Sequence, residues 1–350
     1  MKHRKALGFF GALLIMLTAL CGCGSEEAAG PKGKSYFSYF DTVSYIYSYA
    51  GDSAERFDEL SAEASAILGE YHRLFDIYHE YAEMNNLCTV NKNAGGESLK
   101  VDGKLIDFLL YAKELYEFTD GEINVMLGAV LSQWHECREA ASDDPANARI
   151  PDRAELEAAA EHTCIELLEI DEENSTVRIA DAAASVDVGA LGKGYATEMA
   201  ARQLEAEGAV SYVLNVGGNI RIIGTRPDGS DWVTGVRDPA APDGDFAATL
   251  EIADTSCVTS GVYERYFTVD GVRYHHIIDR DSLFPSEYYS SLTVLTRDSG
   301  LADALSTALF CMPIEEGRAL VDATDGVDAL WIFPDGSIEY TAGVKDMIKK

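Results

Sequence analysis

The chain has 350 residues, 47% of them hydrophobic, and its 28 basic against 59 acidic side chains give a formal net charge of -31. That length supports one large domain or two modest ones, and the acidity argues against a nucleic-acid binder, which needs a basic face to displace counterions from phosphates. Seven cysteines are too few for a disulfide scaffold, and 30 Gly with nine Pro are too few for collagen-like or low-complexity sequence.

The chain opens with Lys2, Arg4 and Lys5 and an apolar run from Ala6 to Leu20, the pattern of an export signal. Leu20-Cys21-Gly22-Cys23 then resembles a bacterial lipobox with Cys23 as the lipidated, palmitate-bearing residue; an ordinary signal peptide or N-terminal anchor is the other reading. Residues 1–22 read as a lipoprotein signal peptide, 23–34 as a tether and 35–350 as a single compact domain. Loss of residues 1–22 removes three of the 28 basic residues, leaving 25 against 59, or -34.

In the body, apolar residues from Phe57 to Phe75 recur at three- and four-residue steps after Asp52-Ser53 and predict a capped amphipathic helix. Leu105–Phe118, Val125–Cys137 and Pro151–His162, the last with Pro in its first turn, predict three more. Strands are predicted at 177–179, 212–216, 232–236, 247–252, 266–269 and 291–296, with helices at Gly194–Glu207, closed by Gly208, and Leu301–Cys311. The class is α/β in the mixed α+β sense, without the regular strand-helix alternation of a doubly wound sheet. Five cysteines, Cys88, Cys137, Cys164, Cys257 and Cys311, remain in the body with no zinc-ligand spacing.

Chemistry concentrates in four places. In Asp187-Val188-Gly189-Ala190-Leu191-Gly192-Lys193-Gly194-Tyr195-Ala196 a strand enters a Gly-rich turn and leaves as a helix, which suits backbone N–H groups near a phosphate with Lys193 as a point charge; a tight packing corner is the other reading. It is neither a P-loop nor a dinucleotide fingerprint. Leu214-Asn215-Val216-Gly217-Gly218-Asn219 runs a strand into paired glycines. Tyr274-His275-His276-Ile277-Ile278-Asp279 sets a histidine near an aspartate that could orient it as a base, and strand alternation predicts His276 and Ile278 on one face with His275 and Ile277 on the other. In Ala302-Asp303-Ala304-Leu305-Ser306-Thr307, Asp303 and Thr307 stand at i and i+4 of an apolar helix; they suit a hard cation such as Mg²⁺, although a Thr hydroxyl bonded back into its helix is equally compatible.

In this order, with Phe40-Asp41-Thr42-Val43, Thr119-Asp120-Gly121 and Ser260-Gly261-Val262-Tyr263-Glu264-Arg265, these segments resemble the ApbE family of FAD:protein FMN transferases over nearly all of the chain after the leader. The resemblance implies an ApbE-like fold, FAD as substrate, Mg²⁺ as cofactor, and transfer of FMN to a Thr or Ser hydroxyl of a partner protein with release of AMP. It implies metal ligation by the main-chain oxygen of Ala190, Asp303 and Thr307, and flavin or phosphate contacts from Phe40, Tyr78, Glu122, Ile123, Asn124, Asp187, Lys193 and His276. Asn91 matches an asparagine that ends the family's early helix-turn region. It further implies an acceptor flavoprotein on the extracytoplasmic face, such as a subunit of an ion-pumping or electron-transfer complex, with this chain held at the cell membrane by its lipid. Ile123-Asn124 departs from a common Phe-Asp, Arg280 from a common Pro, and Val262 from a common Asp.

An imidazole works near neutral pH, so His276 is the candidate for taking the acceptor's proton. The same site would serve an FAD pyrophosphatase giving FMN and AMP, and a noncatalytic FAD-binding lipoprotein is the alternative from another class.

Overall fold

The computed structural model describes residues 30–241 and 244–349, so the leader and Cys23 lie outside the described residues. Among the described residues fifteen strands and nine α-helices follow one another as β1 Lys32–Tyr39, β2 Thr42–Ser48, α1 Ala54–Phe75, α2 Leu87–Lys92, β3 Leu99–Lys100, α3 Gly103–Phe118, α4 Gly128–Asp143 and α5 Arg153–Ala160. Next come β4 Leu168–Asp171, β5 Thr176–Ile179, α6 Gly192–Ala206, β6 Tyr212–Val216, β7 Asn219–Ile223, β8 Trp232–Arg237, β9 Phe246–Ile252, β10 Ser256–Gly261, β11 Tyr266–Val269 and β12 Val272–His275. The chain closes with β13 Ser291–Thr296, α7 Ser299–Ala308, α8 Ile314–Asp322, β14 Asp328–Ile332, β15 Ile338–Tyr340 and α9 Ala342–Met347.

The centre is an eight-stranded sheet in the order β1-β2-β6-β7-β10-β13-β14-β15, every neighbouring pair antiparallel. All six residues of β13 are buried because both sheet faces are covered. One face meets α1, α6 and α7 through Leu68, Leu204, Leu292, Val294 and Leu305. The other meets the β8–β9 hairpin and α9 through Trp232, Leu250, Leu295 and Val344. A separate apolar cluster joins α4 and α5 to the β11–β12 hairpin around Trp134, Leu156 and Phe267. Full burial of a Leu-sized side chain contributes roughly 1.5–3 kcal/mol, and the sandwiched sheet gathers many such residues.

Local signals explain the helices that periodicity found. Ser53 caps α1 by accepting from Arg56 N–H at 3.1 Å, and Asp102 caps α3 by accepting from Lys104 N–H at 2.8 Å. Several boundaries differ from expectation, and Pro151 stands ahead of α5, which begins at Arg153, rather than in its first turn. The tether ends early, since β1 begins at Lys32. Helix α4 begins at Gly128 rather than Val125, because Val125 lies in the turn before it, where its carbonyl accepts Asp187 N–H at 2.8 Å. Alternation fails after His275, where β12 ends; Ile277 and Ile278 are both buried. No helix among the described residues is long and apolar enough to cross a membrane.

Candidate active site

The Gly-rich turn is both a packing corner and a donor site. A Cβ on Gly194 would lie 2.3 Å from Asp303 Cβ and from the Ser299 carbonyl, so glycine lets the start of α6 touch α7. That contact puts Gly194 N–H 2.7 Å from Asp303 Oδ2, so α6, which lacks a capping side chain of its own, is capped from another helix. Lys193 Nζ stands 3.9 Å from Asp303 Oδ1. Burial pushes the Asp303 carboxyl up, opposed by Lys193 and the Gly194 bond. The Asn219 side chain faces the same carboxylate, yet its buried Nδ2 finds no partner in bonding geometry.

One turn along α7, the Asp303 carbonyl that a Thr307 back-bond would use receives the Ser306 hydroxyl at 2.9 Å. Back-bonds to the carbonyl four residues earlier are made by Thr119, Thr197 and Thr324. Ser306 is also tied to Ser260 of β10 at 2.9 Å, which fixes the rotation of α7. Among the described residues no three or more His, Cys, Asp or Glu side chains gather as a metal cage. A cation here would therefore take one buried carboxylate, one hydroxyl and a carbonyl, leaving its other positions to water and ligand oxygens. That donor set fits Mg²⁺.

His276, whose Nδ1 is buried without a partner among the described residues, shares Lys193 and Arg265 with Asp303 as charged neighbours. Burial holds its pKa well below the usual histidine range, and Arg265, Lys193, His275 and Arg138 add to the effect. The expected carboxylate orienter is absent: Asp279 Oδ1 instead accepts the Asp281 and Ser282 N–H groups at 2.8 and 2.9 Å. Arg265 donates to the Phe40 carbonyl at 3.3 Å, and Phe40 N–H donates to His72 Nδ1 at 3.2 Å. The tight β1–β2 turn, with Phe40 and Asp41 at φ 53° and 52°, thus closes over the same region. Gly217 admits Thr42 at the start of β2, because a Cβ there would lie 2.6 Å from the threonine side chain.

Beside this centre lies a cleft of about 210 Å³ whose lining includes Tyr78, Asn91, Ser132, His135 and Asp187. Asn91 clamps the Val186 N–H and carbonyl, both at 2.8 Å, and so sets the strand ahead of Asp187. Asp187 Oδ1 accepts Gly189 N–H at 2.8 Å. Tyr78, with about half its surface exposed, places its hydroxyl 3.2 Å from His135 Nδ1.

Other expected contacts sit apart. Glu122 pairs with Arg280 at 3.1 Å, and burial pushes its carboxyl up to about 7 against the pull of Arg280; its other charged neighbours are Asp281, Asp279 and Glu316. The Ile123 side chain is in the core and its N–H is bonded to Thr119 Oγ1 at 3.0 Å. Both ends of the Asn124 amide are engaged, Nδ2 with the Thr163 carbonyl at 2.8 Å and Oδ1 with Met126 N–H at 2.9 Å. His135, Arg138 and Arg265 were assigned no role from sequence. The first two lie in an otherwise ordinary amphipathic helix with no motif to mark them, and the third ends a motif read only as a resemblance.

The fold and cleft define a mixed α/β protein in which an acidic chain turns Lys193 and Arg265 toward one buried carboxylate, an arrangement for a polyphosphate-bearing ligand. A model of the ApbE family matches residues 41–331. The FAD:protein FMN transferase of Treponema pallidum is 32% identical over 367 residues, covering 100% of this chain and 97% of that protein. The protein of the same name from Vibrio cholerae is 30% identical over 286 residues, covering 81% and 82%. The crystal structure of the ApbE protein from Thermotoga maritima superposes with a TM-score of 0.79 at 28% identity, covering 91% of this chain and 100% of that one. The chain belongs to the ApbE family, a family of enzymes, and has its fold.

Proposed function

We propose that this protein transfers FMN from FAD to a Thr or Ser hydroxyl of an acceptor protein, forming a phosphodiester and releasing AMP. The observation that carries the reading is that Lys193 and Arg265 act on both the buried Asp303 carboxylate and the neutral His276, in a chain of net charge -31. The names of the relatives support the same reaction.

The acceptor hydroxyl forms the new O–P bond at the phosphorus on the riboflavin side, and the bridging P–O bond to AMP breaks. Lys193 and Arg265 meet the charge on the nonbridging oxygens and the departing phosphate, where few reorganising waters dilute it. Ala190, Asp303 and Thr307 would hold Mg²⁺, which when bound supplies further positive charge to those oxygens. His276 takes the hydroxyl proton on a ring nitrogen. The bound diphosphate offsets the repulsion from Lys193 and Arg265, raising the imidazole pKa toward the working pH. The lipidated Cys23 would hold the enzyme at the extracytoplasmic membrane face, where its acceptor must also stand.

Intact-mass analysis of an acceptor domain incubated with FAD, Mg²⁺ and the chain from Ser25 onward tests this. One added FMN per acceptor with matching AMP is the expected result. Equal free FMN and AMP with an unmodified acceptor would make the protein a hydrolase, and intact bound FAD would make it a carrier. Asp303→Ala should abolish transfer at low millimolar Mg²⁺; full retention would overturn the metal assignment.

A further inference from the structure

We propose that His135 is a positioning residue for the ring system of the substrate, acting by holding Tyr78 beside Asp187 in one wall of the cleft; this rests on the reading of FAD as substrate. Three segments far apart in sequence meet at this imidazole. Tyr78 comes from the loop after α1, where Asp76 Oδ1 accepts the Tyr78 and His79 N–H groups at 2.7 and 2.9 Å and sets the turn. His135 stands on α4 immediately after Trp134, whose indole N–H donates to the Leu283 carbonyl at 3.0 Å and anchors that turn of helix. Asp187 opens the Gly-rich turn.

His135 Nδ1 lies 3.2 Å from the Tyr78 hydroxyl and 3.8 Å from Asp187 Oδ2. Since Oδ1 of Asp187 is occupied by Gly189 N–H, Oδ2 is its free acceptor, and the imidazole stands against it. The Tyr78 ring is about half exposed and, among the described residues, no aromatic ring packs on it, so its hydroxyl ties it to the rest of the wall. A tyrosine held this way offers a fixed apolar face to a flat heteroaromatic ring, while the free Asp187 oxygen accepts from a ring N–H. Released from His135, the loop side chain would sample other rotamers and each binding event would have to reorder it. Burial lowers the imidazole pKa against the opposing pull of Asp187, so the tie is the hydrogen bond to Tyr78 rather than an ion pair with Asp187.

The test compares His135→Ala, His135→Asn, Tyr78→Phe and the double variant His135→Ala/Tyr78→Phe, with thermal unfolding as the folding control. Loss of one such hydrogen bond should raise KM for FAD about threefold to tenfold at nearly unchanged kcat. The Asn amide can place a polar atom where Nδ1 stands and should recover most of the loss. The double variant should be no worse than either single one. FAD affinity measured by flavin fluorescence without acceptor or Mg²⁺ should fall by the same factor. Equal FAD affinity in wild type and His135→Ala, a fall in kcat instead of a rise in KM, or additive single effects would overturn the proposal alone. A wild-type protein that does not bind FAD would overturn the substrate reading and the proposal with it.

Discussion

Gly194→Ala tests whether the start of α6 is pinned to the buried carboxylate of α7. The added Cβ would meet Asp303 Cβ and the Ser299 carbonyl at 2.3 Å, and both belong to the body of α7 rather than to a flexible side-chain end. The helices must separate, and overpacking of this kind costs about 1–3 kcal/mol. Separation also breaks the 2.7 Å bond from Gly194 N–H to Asp303 Oδ2, a charge-assisted bond of about 1.5–3 kcal/mol. The higher helix propensity of Ala returns about 1 kcal/mol, so the net loss should be about 1.5–5 kcal/mol. At roughly 2 °C per kcal/mol for a domain this large, Tm should drop by about 3–10 °C in calorimetry. Because Asp303 moves, the Mg²⁺ concentration for half-maximal transfer should also rise, by about tenfold for each 1.4 kcal/mol lost at the site. Gly103→Ala is the control: its Cβ meets nothing within 4 Å in the first turn of α3, and the protein should gain up to about 1 kcal/mol. A Gly194→Ala protein with Tm within about 1 °C of wild type and an unchanged Mg²⁺ requirement would refute the pinning argument.

Glu122 carries a pKa raised from 4.5 to about 7. Its contribution to stability is therefore present below pH 4.5 and is lost as pH rises through about 7. Relative to wild type, Glu122→Gln should gain about 1–2 kcal/mol between acid and neutral pH after allowance for partial solvent screening, read as parallel urea titrations at several pH values. Arg221 has no exposed side-chain surface and pairs with Glu205 at 2.8 Å and with Glu198 and Asp254 at 3.3 Å. Arg221→Met strands buried Glu198 and should cost about 3–5 kcal/mol in urea unfolding. Arg202→Met, at a side chain 57% exposed, should cost about 1 kcal/mol or less. Asn124→Asp sets a carboxylate against the Thr163 carbonyl that the amide now satisfies. It should destabilise by about 1.5–3 kcal/mol at neutral pH, with recovery in acid as the new carboxyl, its pKa raised, takes up a proton.

Helices α1 and α3 were readable because their signals are local: apolar spacing of three and four, with Ser53 and Asp102 as caps. The glycines and lysine at the start of α6, the Asp303–Thr307 pair and the mixed α/β class were visible for the same reason, since each is a pattern of neighbours along the chain. In β7, β10 and β14 the two-residue alternation that marks a strand is lost inside a sheet covered on both faces, whereas β13, equally buried, was marked by its β-rich run instead. The structure alone shows that Asn124 is spent on the Thr163 carbonyl and that Asp279 turns to its own loop rather than to His276. It alone brings Gly194 to Asp303 across 109 positions, Arg265 to Phe40 across 225 and Tyr78 to His135 across 57. Residue type and spacing determine what each segment can do chemically, but the partner of a buried charge or an unpaired nitrogen is chosen by packing, which no local pattern encodes.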